Sequence, residues 1–377
     1  MVVKKETPRP PEEPYAAIPV SETPSSGSFI TAEFKKLVAR KRLYLWLLLL
    51  ALVAVSIVAL NTGAIAISFS DILGILLRHD TQGIGRIIWE IRMPRLLAAI
   101  LVGAGLSMSG TAMQSILRNP LASPYTLGLS NAAAFGASFA IVFLRAGALT
   151  ASSVVINNPY IVAFSAFGFS MLATLTILLF AKLTRISAES MVLSGIAIGA
   201  LFSAGLTFMQ YLADSVQLAN IVSWSFGDLG RANWAVIALL STALAPVFVF
   251  FIANRWNFNA LDAGEETARS LGVQTGHLRT AGMFAASFLG ALIVSAFGII
   301  AFIGLLGPHI CRRLIGSDHR YLMLGAPLTG AIILVFADIL SRTVLAPMVL
   351  PVGILTSMFG APLFIYLLLR RRKQWRS

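Results

Sequence analysis

The sequence predicts an all-α, polytopic membrane protein with ten transmembrane helices and both termini in the cytoplasm. Three observations carry that prediction. Hydrophobic residues make up 57% of the 377-residue chain and charged residues only 12%, about half the charged share of an ordinary soluble domain. Mean hydropathy is +0.82. Basic residues also gather in alternate connections between the apolar runs, which sets the orientation of those runs in a bilayer.

Residues 1–33 are rich in Pro, Ser and Glu and lack apolar periodicity, the composition of a disordered cytoplasmic tail. Residues 34–377 then form the ten-helix membrane domain. Its first apolar run starts at Leu43, directly after Arg40-Lys41-Arg42. That run is long enough to span a bilayer, so it is not a signal peptide. Spanning segments are drawn at 43–61, 95–116, 124–144, 159–181, 190–212, 233–253, 280–297, 299–311, 321–341 and 354–370, against the need for about 20 apolar residues per crossing. The eighth is short. Gly298, Gly304 and Gly307-Pro308 point to a helix pair broken at membrane depth, where irregular backbone survives only against protein or a water-filled cavity. The tenth follows Pro347 and Pro351-Val352-Gly353, a second broken entry.

Charge placement tests the drawing. With the N-terminus inside, every lysine falls on the cytoplasmic side. Only Arg78, Arg86, Arg92, Arg95, Arg145, Arg231 and Arg342 fall outside. The formal net charge of +13 is therefore a topological signal. No basic and aromatic residues interleave on a polar face, and nucleic-acid binding is excluded. At the outer start of the second span Pro94 separates Arg92 from Arg95. A proline suits a helix's first turn, so the helix is expected to begin there, with Arg95 at its start and Arg92 just before it.

Small residues crowd two spans. The second holds Gly103, Gly105, Ser107, Ser109 and Gly110, and the fifth holds Ser194, Gly195, Gly199, Ser203 and Gly205. Gly195-xxx-Gly199 lets helix backbones approach closely. Tight packing alone explains the pattern. With Thr207 and Gln210 further along, lining of a cavity is the other reading.

Several chemistries are absent. There is no GxxxxGK[ST], so the chain has no P-loop of its own, and no HExxH, GxSxG or CxxC. The single Cys311 excludes an internal disulfide framework. His79, His277, His309 and His319 are dispersed and have no metal-ligand spacing. The carboxylate well inside a span is Asp338, with Arg342 one turn on, which reads as an ion pair or as a proton relay. No enzyme signal and no resident metal or cofactor is read.

Between two uncharged runs, 232–254 and 280–311, lies GEETARSLG at 264–272. Glu265 and Arg269 stand at i and i+4, and Glu266 and Arg269 at i and i+3. Asp262 or Gly264 can start a helix there, and Gly272 can end it. Leu261, Ala268 and Leu271 give it one apolar side. A solvated connector and a docking helix for a cytoplasmic partner both fit.

Taken together, four stretches resemble a known family. They are IRMPRLLAAILVGAGLSMSGTAMQSILRNPLASPYTLGLSNAA (91–133), GEETARSLG (264–272), GIIAFIGLLGPHICR (298–312), and DHRYLMLGAP with LPVGILTSMFGAPLF (318–327, 350–364). The resemblance is to the FecCD-type permeases of binding-protein-dependent ABC importers for iron-siderophore complexes, haem and vitamin B12, and it covers about residues 43–370. It implies a ten-helix subunit in the prokaryotic cytoplasmic membrane. It also implies a homodimer, two cytoplasmic ATPase subunits that bind the ATP and magnesium, and an extracytoplasmic substrate-binding protein. Residues 257–276 then match the coupling segment, with Glu265, Glu266, Arg269, Leu271 and Gly272 docking the ATPase. Arg92, Arg95 and Arg342 match arginines that receive acidic residues of the binding protein. Asn119 and Leu121 match positions near the cytoplasmic gate, as do Ala188 and Glu189, where relatives can carry small hydroxyl residues. Ser194, Gly195, Gly199, Ser203 and Thr207 lie on the fifth helix, which lines the path in such permeases. Ala132 stands where relatives often have Gly.

Two functions remain to be weighed. An ATP-driven importer of iron-siderophore complexes, with haem and cobalamin behind them, accounts for the docking segment. A gradient-driven secondary transporter would use Asp338 as its proton site.

Overall fold

The computed structural model describes residues 26–63, 67–78, 82–150, 153–156, 158–184 and 187–373. Residues 1–25 of the expected tail lie outside these. Helix α1 runs Ser26–Asn61, so the described end of the expected tail, 26–33, is helical. The chain divides into two units, 1–40 and 41–377. In the first, the described residues belong to α1; the rest of the architecture belongs to the second.

After α1 come α2 (Phe69–Arg78), α3 (Ile84–Ile116), α4 (Leu129–Val142) and α5 (Pro159–Leu183). A short antiparallel hairpin of β1 (Gly147–Thr150) and β2 (Ser153–Ile156) joins the last two. Next are α6 (Ala188–Leu212), α7 (Ser215–Ser225), α8 (Trp234–Ala253), α9 (Arg255–Asp262) and α10 (Glu265–Ser270). The chain finishes with α11 (Thr275–Phe297), α12 (Ile303–Ile315), α13 (His319–Thr343) and α14 (Val352–Lys373).

Each of the ten expected segments contains helix, though residues 299–302 of the eighth are not helical, and the protein has several membrane-spanning helices. Seven helices are long and apolar enough to cross a membrane: α1, α3, α5, α6, α8, α11 and α13. Two of the other three are shorter: α4 has 14 residues and α12 has 13, or about 20 Å of helix against a hydrocarbon core of about 30 Å. α14 has 22 residues, and its apolar part runs from Val352 up to the basic run Arg370-Arg371-Arg372-Lys373. Neither α2 nor α7 was visible as a span, because each is too short to give a window of that length.

Local chemistry sets many of the starts. Asn158, with Pro159 behind it, caps α5, and its side chain accepts from Ile161 N–H. Ser187 and Ser190 cap α6 reciprocally, and Asp214 and Gln217 do the same for α7. The long regular α-helical part of α3 begins at Met93 with Pro94 in its first turn, as expected, but the helix does not start there. It continues back to Ile84 through a turn, Ile88–Arg92, that widens to a π-helix. Proline supplies no N–H to the preceding turn and crowds its carbonyl, and a wider turn relieves both.

α3 is the hub, packed against α13, α11 and α12. Its small residues allow this. Gly110 lies so close to α12 that a Cβ there would sit 1.8 Å from the Gly304 carbonyl oxygen. The buried Ser107 hydroxyl donates to the Ala326 carbonyl on α13 at 2.6 Å. A second apolar cluster joins α4, α5, α7 and α11, and Phe135 of α4 lies 5.0 Å from Phe169 of α5 and 5.6 Å from Phe202 of α6.

The expected break between the seventh and eighth segments is present. α11 stops at Gly298 (φ 77°) and α12 starts after Phe302 (φ 66°). Breaks elsewhere in the chain satisfy the freed backbone groups: Asp228 N–H donates to Phe297 O at 2.8 Å, and Gly353 N–H donates to Gly227 O at 3.1 Å. Three interruptions of regular helix thus meet and pair with one another, as irregular backbone away from water requires.

Candidate functional site

The segment between α8 and α11 forms two short helices, not one. Gly264 (φ 126°) precedes α10 and Gly272 (φ 80°) follows it, both in conformations that L side chains rarely adopt. The expected apolar side is split. Leu261 and Ala268 are fully buried, whereas Leu271 is 68% exposed. The two glutamates differ as well. Glu265 lies between Arg269 at 2.6 Å and the buried Arg279 of α11 at 2.9 Å, so it ties α10 to the membrane core. Glu266 is exposed. Of the expected docking residues, Glu266, Arg269, Leu271 and Gly272 face outward.

Beneath α9 lies a polar network that sequence reasoning did not assemble. His319, at the first turn of α13, is completely buried. Its Nε2 is 2.9 Å from Asp262 Oδ2 and 2.9 Å from Ser115 Oγ at the end of α3. Asn259 accepts from His319 N–H at 2.8 Å and donates to Asp318 Oδ1 at 3.0 Å. Arg320 chelates Asp318 and stacks over Trp256 at 4.7 Å. Burial alone would raise both carboxyls. Burial is the largest single influence on each, but at Asp262 the hydrogen bonds of His319 and Ser115 with the His319 and Arg312 charges together outweigh it. At Asp318 the hydrogen bonds of Arg320 and Asn259 with the Arg320 charge do, and both groups are held below the usual carboxylate range. Their contribution to folding is therefore present above an ordinary Asp pKa of about 3.9 and is lost as pH falls through the lower folded values.

At the other end of α3 stand the three arginines expected to face a partner. The structure spends them internally. Arg92 is 6% exposed and donates to the Leu60 carbonyl and, at 3.3 Å, to the Asn61 carbonyl, at the end of α1. Arg95 Nε bonds Asp338 Oδ1 at 2.7 Å, and Arg342 Nη2 bonds Asp338 Oδ2 at 3.0 Å. Arg342 also donates to the carbonyls of Thr62 (2.7 Å) and Ala59 (3.1 Å). These bonds join α1, α3 and α13. A cation is well placed at helix C-terminal carbonyls, since the dipole there is negative. The i, i+4 pair of Asp338 with Arg342 was legible in the sequence; Arg95 as a third member, 243 residues away, was not.

The fifth predicted span, α6, needs a correction. Gly195 and Gly199 are buried against the start of α4, where a Cβ on them would meet Leu127 at 2.7 Å and Gly128 Cα at 3.0 Å. They are packing positions and line no open surface of this chain. Ser194 is half-buried, and Ser203 and Thr207 are exposed, with the Thr207 hydroxyl donating back to Ser203 O at 3.1 Å. Asn119 closes a tight turn by accepting from Leu121 N–H at 2.9 Å, and Leu121 is 41% exposed. Ala188 is buried in the first turn of α6 and Glu189 is exposed. Among the described residues no group of three or more His, Cys, Asp or Glu side chains is placed to hold a metal.

The model of the FecCD transport family matches residues 48–370. A Methanocaldococcus jannaschii protein assigned as an ABC transporter permease is 45% identical over 92% of this chain and 99% of its own length. The hemin transport system permease protein of Yersinia pestis is 36% identical over 88% of this chain and 97% of its own. Among solved structures, an inward-facing conformation of a transporter assigned to the metal-chelate type of ABC transporters is similar, with a TM-score of 0.75 and 30% identity. That match covers 86% of this chain and 98% of the other.

Proposed function

The chain belongs to the FecCD transport family, and from that premise we propose that it is the membrane permease subunit of a binding-protein-dependent ABC importer in a prokaryotic cytoplasmic membrane. Its ten helices cross the membrane with both termini inside. It moves iron-siderophore complexes, or chelates of the haem and cobalamin type, driven by ATP hydrolysis on separate subunits. The single observation that carries this reading is α10. A six-residue helix is unstable alone, yet this one is fastened to α11 through Glu265 and Arg279 while offering Glu266 and Leu271 to a partner. The sequence has no P-loop, so the energy must come from outside the chain.

Other parts of the assembly follow. The apolar outer faces of α6 (Leu193, Ile196, Leu201) and α14 (Met358, Phe359) are exposed in the single chain and suit a second copy, with the path at the twofold axis. Exposed Ser203 and Thr207 are then the path-lining residues of α6, and Asn119, Leu121, Ala188 and Glu189 stand near the inner gate. At the outer end, the guanidiniums of Arg95 and Arg342 share the Asp338 carboxylate, with Arg92 close by on the α1 carbonyls. The surplus positive field is what an acidic face of a binding protein would meet, with Arg95 and Arg342 as the partly exposed members. Secondary transport through Asp338 is set aside, because both carboxylate oxygens are already occupied by guanidiniums.

Two experiments test the reading. Co-expressed with its ATPase, the permease carrying Glu266→Lys and Leu271→Glu is expected to fold and insert normally but to lose ATPase copurification and uptake of radiolabelled ferric siderophore. Both side chains are exposed, so fold is spared; undiminished copurification would rule out α10 as the docking helix. Sidedness is read by thiol labelling of intact cells in a Cys311→Ala background. Arg86→Cys should react with an impermeant reagent and Arg269→Cys should not, and the opposite pattern would invert the topology.

A further inference from the structure

His319 makes contacts that neither docking nor the translocation path requires. It is fully buried, and it touches three elements at once. It opens α13. Through Nε2 it meets Asp262 of α9 and Ser115 of α3, each at 2.9 Å. Its ring lies 5.7 Å from that of Phe258, also on α9, and its backbone N–H is taken by Asn259. A neutral imidazole with its proton on Nε2 donates to the Asp262 carboxylate. Nδ1 then faces no hydrogen-bond donor, and a buried acceptor left unmet is destabilising. An apolar side chain of similar volume would fill this space without that cost. The arrangement is a joint, not filler.

The position of the joint assigns it a task. α9 leads directly into α10, with Ala263 and Gly264 between them. Glu265–Arg279 fastens α10 to α11 alone. The His319 contacts fasten the same segment to α3 and α13, the helices joined at their far ends by Arg95 and Asp338. Movement of α9 therefore has a bonded route through two packed helices to the opposite side of the membrane domain. We propose that His319 is a positioning residue that passes displacement of the α9–α10 segment to α3 and α13, and that Asp262 is the partner through which it does so. This inference rests on the reading of α10 as the ATPase-docking helix. It goes further, in separating attachment of the ATPase from transmission of its stroke.

The test uses the full complex of permease and ATPase in lipid nanodiscs, with ATP and vanadate as the probe. A nitroxide is placed at Arg86→Cys, at the far end of α3, in the Cys311→Ala background. The distance between the labels of the two copies is measured by electron double resonance with and without ATP–vanadate. In the otherwise native chain a vanadate-driven shift is expected. With His319→Ala, ATPase copurification and basal hydrolysis are expected to persist while the shift is lost. His319→Gln, whose amide nitrogen can replace the Nε2 donor, should restore most of it. A rescue of this kind is not expected of a residue that only fills space. Should His319→Ala fail to accumulate, Asp262→Ala removes the same bond from the more exposed side and should abolish the shift likewise. An undiminished shift in either variant, with the ATPase bound, would overturn the inference. Absence of the ATPase from the wild-type complex would instead overturn the docking reading, and this inference with it. That failure is seen before any variant is made.

Discussion

Replacing Asp338 with alanine is expected to leave almost no folded permease. The carboxylate has both oxygens engaged, by Arg95 at 2.7 Å and Arg342 at 3.0 Å, and its side chain is 2% exposed. Removing one partner of a buried ion pair costs about 3–5 kcal/mol, because the remaining charge is stranded away from water. Here two guanidiniums lose their anion together, with Arg92 close behind them on α3. Net stabilities are of the order of 5–15 kcal/mol, so this loss takes a large share. The measurement is the monodisperse fraction on size-exclusion chromatography in detergent, with a thermal melt of what survives. Asp338→Asn separates this account from secondary transport. A joint of charges predicts that the amide variant is also badly destabilised, since it cannot balance two cations. A proton site predicts a stable protein that no longer transports. A normal melt for Asp338→Asn would end the structural reading of this cluster.

Helices were legible because a run of about 20 apolar residues has few other folds open to it. The break before α12 was legible for a related reason, since Gly298 and Gly307-Pro308 punctuate an apolar stretch too short to span. What could not be read was direction. Gly195 and Gly199 announce a close approach, but the spacing of small residues does not say whether the neighbour is another helix of the same chain or the opposite wall of a path. Here it is the turn at Leu127-Gly128. Arg92, Arg95 and Arg342 carry the same ambiguity: charge near a membrane surface signals a partner, and within this chain these arginines bond carbonyls at the end of α1 and Asp338 of α13. His319 and Asp262 lie 57 residues apart and follow no periodicity. The sequence trace of His319 is its place after Asp318 at a helix start, a common capping arrangement with no mark of what the ring would touch.

Gly110→Ala is expected to be the most damaging single-methyl change in the described residues of α3. Alanine is ordinarily favourable in a helix, by roughly 1 kcal/mol over glycine. At Gly110 a Cβ would lie 1.8 Å from the Gly304 carbonyl oxygen and 2.6 Å from its carbon. Both are backbone atoms, so no rotamer change relieves the contact, and α12 must move as a body. That helix cannot move alone, because Arg312 on it donates to Gln114 on α3 and His309 bonds the Pro120 carbonyl at 3.0 Å. Overpacking a tight core typically costs about 1–3 kcal/mol, and more where the backbone must yield. A clear fall in melting temperature and a reduced yield of folded protein are the expected readouts. Gly168→Ala on α5 supplies the contrast, because a Cβ there meets nothing within 4 Å; it should melt at or slightly above the wild-type temperature. If the two variants melt alike, the close approach of α3 to α12 is not what sets the packing of this domain.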